Sequence, residues 1–371
     1  MANLVLYRKY RPKSFSEVVG QEHIVRTITN EITNDLLSHC YLFAGPKGTG
    51  KTTIARLLAK AINCENLQGF EPCNKCQSCM EINSGRAIDL LEIDAASNRG
   101  IDDIRELKEG IRFTPTRLKY KVFIIDESHQ LSKDAANALL KMLEEPPSFA
   151  VFVLATTEAH KMIPTITSRC QRFDFRKLSA LEIMKKLEMI VKKEKIKISK
   201  LALELIAMNA DGAARNAEVL LDQVLSFSKV AGRDDKKEIT EEEVKALLGV
   251  IDVGLIAKLI DLIFEKKSGQ AVRFLNEIIE KGLDSSELAK AIVEYLRQTL
   301  ILKISPDLEN PIFRNLTQEM KEELKKQALK FQEPEIRRAL KAFLEAQNKI
   351  RYSPIPQLSL ELAILEITEG N

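Results

Sequence analysis

The chain has 371 residues, 45% hydrophobic and 29% charged, which is the balance of an ordinary globular protein with room for two or three domains. Its net charge of +3 excludes a strongly basic nucleic-acid binder, so any DNA contact must come from a local arrangement of charge. No apolar run reaches the roughly 18 residues of a membrane span, and residues 1–14 are charged where a signal peptide would be apolar. We therefore expect a cytoplasmic protein without membrane contact.

Short apolar runs alternate with helical patterns in the first half of the chain. Strands are predicted at Cys40–Ala44, Ile88–Ile93, Val122–Asp126, Val151–Ala155 and Arg172–Phe175, and helices at Lys51–Ile62, Ile101–Ile111 and Lys133–Glu144. Apolar strands separated by helices predict a parallel sheet covered on both faces.

Only helices are predicted after Lys177. Four amphipathic stretches lie at Ser179–Lys193, Ser199–Asn209, Ala213–Val230 and Thr240–Leu248, and a second helical block runs from Val253 to about Glu369. The lysine-rich run Lys185–Lys200 is interpreted as a solvated helix face. Cys40 and Cys170 are interpreted as inert core thiols.

The strongest motif is a phosphate-binding loop between a predicted strand and a predicted helix. Glycines allow backbone N–H groups to surround phosphate oxygens, the lysine reaches the β- and γ-phosphates of ATP, and the threonine hydroxyl binds Mg²⁺. The loop consists of Gly45, Pro46, Lys47, Gly48, Thr49, Gly50, Lys51 and Thr52, with Thr53 directly after it.

A second motif places two carboxylates at the end of an apolar strand, Val122–Asp126 followed by Glu127. The carboxyl ends of parallel strands are where such sheets bind ligands. We expect Asp126 to hold Mg²⁺ and Glu127 to polarise the attacking water. His129 permits a helicase-like DExH interpretation, but a histidine in a polar loop is the preferred one.

Four cysteines follow the phosphate loop with the spacing C-x8-C-x2-C-x2-C, at Cys64, Cys73, Cys76 and Cys79. Four thiolates at this spacing are typical of one structural zinc ion. Two disulfides or an iron–sulfur cluster are the alternatives, and a reducing cytosol and the lack of other electron-transfer features disfavour them. Because the cluster lies apart from the phosphate loop, we expect zinc to affect stability or partner contacts more than nucleotide affinity.

Several further segments resemble clamp-loader ATPases of the AAA+ family, most closely the tau/gamma motor subunits of bacterial DNA polymerase III. The resemblance is dense over residues 4–226. It is carried by Tyr7–Pro12, Phe15–Gln21, the cysteine insertion at 64–79, Ala95–Ser97, Leu139–Pro147, Ala155–Thr157, Ser168–Cys170 and Asp211–Ala217. It implies an α/β AAA+ core at 1–177, a helical lid at 178–248 and a helical oligomerisation collar at 249–371.

The resemblance also implies roles for individual residues. Thr157 corresponds to sensor 1 and Arg215 to sensor 2, both of which read the γ-phosphate, and Arg169 corresponds to the arginine finger that acts on a neighbouring subunit's ATP. Tyr7, Arg11, Val18 and Val19 lie where the family holds adenine and ribose.

The partners implied by the resemblance are the delta and delta prime subunits, further copies of the chain, a sliding clamp and primed DNA bound without sequence preference. The DNA contacts would be Arg99, Arg105, Ser132 and Lys141, for which ordinary surface charge is the alternative. Three other functions stay open: a non-hydrolysing delta prime-like subunit, a branch-migration or helicase motor, and a module that uses ATP only as a structural element.

Overall fold

The computed structural model describes residues 5–97, 111, 113–230, 238–248, 252–306, 313, 318–350 and 352–369. By contact the chain divides into two compact units, Met1–Glu241 and Glu242–Asn371. Arg99, Arg105 and the predicted helix over 101–111, except Ile111, lie outside the described residues. Within the described part of the chain, no helix combines the length and apolar character that a membrane crossing needs.

A parallel sheet forms the centre of the first unit, as predicted. Its strands in the described residues are β1 (Cys40–Ala44), β2 (Leu90–Asp94), β3 (Lys121–Asp126), β4 (Ala150–Thr156) and β5 (Gln171–Asp174). The order across the sheet is β2-β3-β4-β1-β5. Strands β1 and β4 are buried throughout because hydrophobic clusters cover both faces. The carboxyl ends of β3, β4 and β1 therefore lie side by side.

The helices around this sheet are α1 (Leu6–Lys9), α2 (Glu22–Thr33), α3 (Lys51–Ile62), α4 (Gln77–Ser84), α5 (Lys133–Glu144) and α6 (Pro164–Thr167). Helices α3 and α5 have the predicted bounds. Ser132 caps α5, since its hydroxyl accepts the N–H of Ala135, and Pro146 and Pro147 follow the end of that helix.

Strand β2 begins two residues later than the apolar run predicts, at Leu90 rather than Ile88. Asp89 is buried, and its carboxylate accepts the backbone N–H groups of Thr116, Arg117 and Leu118. Burial alone would raise the pKa of Asp89, but these hydrogen bonds lower it below its usual value. The aspartate thus holds the loop that returns to β3.

Cys40 and Cys170 form a disulfide, with their Cα atoms 4.6 Å apart. The interpretation of both as inert thiols was wrong in this respect, although Cys40 is fully buried as expected. The disulfide joins β1 to the residue directly before β5, the strand that pairs with β1. The two cysteines are 130 residues apart in sequence. That separation is why the sequence pattern did not reveal it.

Three helices complete the first unit: α7 (Ala180–Glu194), α8 (Lys200–Asn209) and α9 (Ala214–Val230). Helix α7 begins with a capping box, in which Ser179 and Glu182 satisfy each other's backbone N–H groups. We refer to α7–α9 as the helical lid.

The second unit is helical in its described residues. Its helices are α10 (Glu241–Leu248, which starts at the boundary), α11 (Val253–Phe264), α12 (Ser268–Glu280), α13 (Ser285–Ile304), α14 (Gln318–Lys330), α15 (Glu333–Ile350) and α16 (Pro356–Glu369). One hydrophobic cluster runs through α11–α16, with fully buried side chains such as Leu259, Ile292 and Phe343. Gln327 donates to the carbonyl of Ala257 inside this core (2.7 Å).

Candidate nucleotide site and cysteine knuckle

The phosphate loop connects β1 to α3, and its glycines are required by close packing. A Cβ atom at Gly45, where φ is +146°, would lie 2.3 Å from the carbonyl oxygen of Phe175. At Gly48, where φ is +77°, it would lie 2.9 Å from Cβ of Ala213, which directly precedes lid helix α9. The loop is therefore held between the strand end and the lid.

Lys51 lies at the first position of α3 and is buried. Its Nζ donates to the carbonyl oxygens of Gly45 (2.7 Å) and Pro46 (2.9 Å), so the ammonium lies inside the curve of the loop. Burial lowers the pKa of Lys51, and the carboxylates of Glu127 and Asp126 oppose that effect. A buried cation in a loop of backbone donors is suited to bind polyphosphate.

The two predicted carboxylates stand opposite this loop. Thr52 donates its hydroxyl to Asp126 Oδ2 (2.8 Å), which brings both predicted Mg²⁺ ligands together. Glu127 has a left-handed backbone (φ +48°), and its Oε2 accepts the hydroxyl of Thr157 (2.9 Å). Thr157, the predicted sensor 1, is thus bonded to the residue predicted to polarise water, at the ends of neighbouring strands β3 and β4.

His129 belongs to the same network, although the preferred interpretation was a polar loop residue. Its side chain is only 4% exposed. Nδ1 lies 3.0 Å from Thr156 Oγ1 and 3.6 Å from Glu127 Oε2, and Nε2 lies 3.0 Å from Glu158 Oε2. The histidine therefore joins the loop after β3 to the end of β4. It does not line the cavity that the phosphate loop and the two carboxylates border.

The segment before α2 and the lid form the other walls of the cavity. Arg215, the predicted sensor 2, places its guanidinium 4.7 Å from the ring centre of Tyr7. Hydrogen bonding to Arg8, with a smaller effect of Arg215, lowers the pKa of Tyr7. Leu6 donates its backbone N–H to Asp222 of α9 (2.7 Å). Leu6, at the start of α1, is therefore bonded to the lid.

Lys186 and Glu218 line the cavity and were missed from sequence. Both are buried, and Lys186 Nζ lies 3.7 Å from Glu218 Oε1 and donates to the carbonyl of Tyr10 (2.7 Å). Burial raises the pKa of Glu218 to about 7, and burial also lowers that of Lys186. The interpretation of Lys185–Lys200 as a solvated face was wrong for Lys186, which has the helical spacing of Ile183 and Ile190 on the apolar face of α7.

Most of the predicted nucleotide residues meet in this one cavity. Its walls include Tyr7, Arg11, Val18, Val19, Lys47, Gly48, Thr49, Gly50, Lys51, Thr52, Thr53, Asp126, Glu127 and Arg215, together with the unpredicted Glu17, Leu178, Lys186 and Glu218. Gly45 and Pro46 adjoin it through Lys51, and Thr157 through Glu127.

Arg169 does not line the cavity. It lies after α6, where its guanidinium donates to the carbonyl of Thr165 (2.8 Å) and to Glu144 (3.0 Å). The predicted DNA contacts Ser132 and Lys141 stand at opposite ends of α5, nine residues or about 14 Å apart along the helix axis. The structure does not bring them together.

The four cysteines form a compact cluster at the end of α3, with all Sγ atoms within 4.8 Å of one another. Backbone N–H groups point at the sulfurs: those of Lys75 and Cys76 donate to Cys73 Sγ and lower the pKa of that thiol to about 6. Glu65 fixes the start of α4 by accepting the N–H and hydroxyl of Ser78 (3.1 and 2.7 Å). A soft donor set of this size fits a tetrahedral metal. We call residues 64–84 the knuckle.

The phosphate loop after β1, the acidic pair after β3 and the helical lid define the AAA+ class of P-loop proteins. Three family models match: "DNA polymerase III, delta subunit" over residues 20–179, "DNA polymerase III clamp loader subunit, ATPase lid domain" over 182–230, and "DNA polymerase III subunits gamma and tau domain III" over 239–369. The chain belongs to the DNA polymerase III gamma/tau family of clamp-loader subunits.

Individual relatives give the same assignment. The chain is 40% identical to DNA polymerase III subunit tau of Bacillus subtilis, covering 100% of this chain and 64% of the relative. It is 39% identical to that of Escherichia coli K12 (82% and 46%), and 36% identical to subunit gamma of Buchnera aphidicola from Schizaphis graminum (98% and 98%). The chain thus spans about half to two thirds of the tau relatives. The RuvB Holliday junction branch migration motor of Thermotoga maritima superposes with a TM-score of 0.49 at 20% identity, over 69% of this chain and 80% of its own, too weakly to inform function.

Proposed function

We propose that this chain is the ATP-hydrolysing motor subunit of a bacterial clamp loader, which opens a sliding clamp and places it on primed DNA. The observation that carries the proposal is the convergence of Lys51, Thr52, Asp126 and Glu127 at one end of the sheet, with Arg215 of the lid on the same cavity. A P-loop with an adjoining acidic pair is the arrangement that hydrolyses nucleoside triphosphates.

The chain's own residues divide the chemistry among them. Backbone N–H groups of the loop and Lys51 bind the phosphates, and Thr52 and Asp126 hold Mg²⁺, which neutralises phosphate charge when bound. Thr157 fixes one carboxylate oxygen of Glu127, and we assign the other to the attacking water, whose proton it accepts. Tyr7, Arg11, Val18 and Val19 surround the adenosine.

The proposed partners follow from family membership. ATP would order an assembly of this chain with further copies of itself and with delta and delta prime subunits in the cytoplasm, and hydrolysis would release clamp and DNA. Arg169, which lies apart from the chain's own cavity, would act on the ATP of a neighbouring subunit. We assign zinc to the knuckle, since four clustered thiols with N–H donors suit a structural Zn²⁺ site.

Nucleotide binding and turnover by two variants test the proposal. Lys51→Ala should bind ATP weakly, because the phosphates lose their buried cation. Glu127→Gln should bind ATP as the parent does and hydrolyse it poorly, because it keeps a polar group and loses the base. Rates are measured for the chain alone and with clamp, partner subunits and primed DNA. Equal ATP affinity in Lys51→Ala and parent would refute the site, and binding without turnover in the full assembly would favour a delta prime-like subunit.

A further inference from the structure

The knuckle is hydrogen-bonded to residues 13–16, the segment that leads into the nucleotide cavity. Glu71, two residues before the second cysteine, accepts the backbone N–H of Phe15 at Oε2 (2.8 Å) and that of Ser16 at Oε1 (2.7 Å). Both oxygens of one carboxylate are therefore used on two consecutive N–H groups. Hydrogen bonds from N–H groups to a charged acceptor are the stronger kind in proteins.

A second connection runs through Lys60 of α3, which is only 2% exposed. Its ammonium donates to the carbonyl of Lys13 (2.7 Å), to Asn74 Oδ1 (2.6 Å) and to Asn83 Oδ1 (3.0 Å). Asn74 in turn donates to the carbonyl of Lys13 (3.0 Å). Asn74, which directly follows a cysteine of the cluster, is therefore bonded to this segment directly, and Asn83 of α4 is connected to it through Lys60.

The chain reaches the wall of the cavity within a few residues of this segment. Phe15–Glu17 is one turn of 3-10 helix, anchored by Phe15, which is 1% exposed. Glu17, Val18 and Val19 follow and line the cavity. Glu71 thus holds the two N–H groups with which this turn begins.

We propose that Glu71 is a positioning residue through which the metal-loaded knuckle holds the adenosine wall of the cavity, so that metal and nucleotide bind cooperatively. The inference rests on the proposed nucleotide site. Contrary to the expectation from sequence that zinc matters less for nucleotide affinity, the metal site would then act on the cavity: a disordered knuckle releases residues 13–19, and nucleotide binding must then order them. By linkage, nucleotide strengthens metal binding by the same factor.

Two ligands distinguish an effect on the adenosine wall from an effect on the phosphate loop. They are Mg-ATP and magnesium tripolyphosphate, which lacks the nucleoside. In the full chain, Glu71→Ala should weaken Mg-ATP binding on the order of tenfold, within the usual range for coupled sites, and change tripolyphosphate affinity less than twofold. Glu71→Gln, which keeps the shape and one acceptor oxygen, should be intermediate. The matched control is Glu65→Ala with its metal bound, which removes a knuckle carboxylate with two hydrogen bonds to Ser78 and none to residues 13–19. In that state it should bind Mg-ATP like the parent.

Metal removal supplies the second arm. Stripping the parent with a chelator should weaken Mg-ATP binding at least as much as Glu71→Ala does. Stripping Glu71→Ala should cost less affinity than stripping the parent, since the Glu71 connection is already lost and only the one through Asn74 remains. The proposal is overturned if Glu71→Ala and Glu71→Gln bind Mg-ATP like the parent, if ATP and tripolyphosphate weaken equally, or if stripping costs the same affinity in parent and variant. Failure of the nucleotide site itself would appear differently, as tripolyphosphate binding unaffected by Lys51→Ala.

Discussion

The buried pair Lys186–Glu218 gives the first unit a pH-dependent stability that one substitution should remove. Burial raises the pKa of Glu218 from its usual 4.5 to about 7, with Lys186 and Arg11 opposing the rise and Asp222 adding to it. A carboxyl group whose pKa is raised in the folded state makes its full contribution to the free energy of unfolding at pH values below its unfolded-state pKa. It loses that contribution as the pH rises through its folded-state pKa. The window therefore lies between about pH 4.5 and 7.

The size of the effect follows from the shift. Each pKa unit corresponds to about 1.4 kcal/mol, so the contribution of Glu218 falls by about 3 kcal/mol across this window. Glu218→Gln keeps the shape and cannot ionise, while Lys186 is common to both proteins. The unfolding temperature of the first unit in the variant, relative to the parent, should thus rise with pH. The expected rise is roughly 5–10 °C between pH 5 and pH 8.

Differential scanning calorimetry of both proteins at pH 5, 6, 7 and 8 measures this difference directly, and it resolves transitions of the two units. The control is Glu188→Gln on α7, the helix of Lys186. Because this side chain is exposed, the variant should not become more stable relative to the parent as pH rises. A difference between Glu218→Gln and parent that stays constant from pH 5 to pH 8, or that shrinks, would refute the assignment of the pH dependence to Glu218.

Three further predictions concern the metal, the assembly and DNA. Metal analysis of the purified chain should give about one zinc per chain, and four free thiols or two disulfides without metal would contradict it. Arg169→Ala should lose stimulated turnover by a factor on the order of 10³ but keep ATP binding; mixed with Lys51→Ala it should recover part of the turnover, and no recovery at any ratio, with assembly intact, would exclude a role in trans. Arg105→Ala with Lys141→Ala should weaken primed-DNA binding by the whole loader and lower its salt slope, whereas an unchanged slope would mean that both are ordinary surface residues.

The sequence predicted the parts of the site that depend on local pattern. The phosphate loop, helix α3 and the Asp126–Glu127 pair were identified from residues adjacent in sequence, because strand–loop–helix geometry places them without reference to the rest of the chain. The parallel order of the strands then brings Thr157 beside Glu127, since β4 lies between β1 and β3.

Contacts between residues far apart in sequence were missed. Lys186 was assigned to a solvated face because it lies in a lysine-rich run with few aromatic residues. Its partners Glu218 and Tyr10 lie on other elements, so the run itself gives no sign of them. The bond between Glu71 and Phe15 spans 56 residues and joins a loop to a single turn of 3-10 helix, and neither segment has a periodic pattern. Such polar contacts carry no local signal, because the hydrophobic period reports only which face of an element is buried.

Residues 10–13 are hydrogen-bonded both to the helical lid and to the core around the sheet. Tyr10 is bonded to the lid through its carbonyl, which accepts from Lys186, and through its hydroxyl, which donates to Glu194 (2.5 Å). Lys13 is bonded to the core through Lys60. Only Arg11 and Pro12 separate these attachments, and both line the nucleotide cavity. Because proline fixes its own φ and restricts the residue before it, this dipeptide is a short and conformationally restricted link between the lid and the core, and it borders the nucleotide cavity.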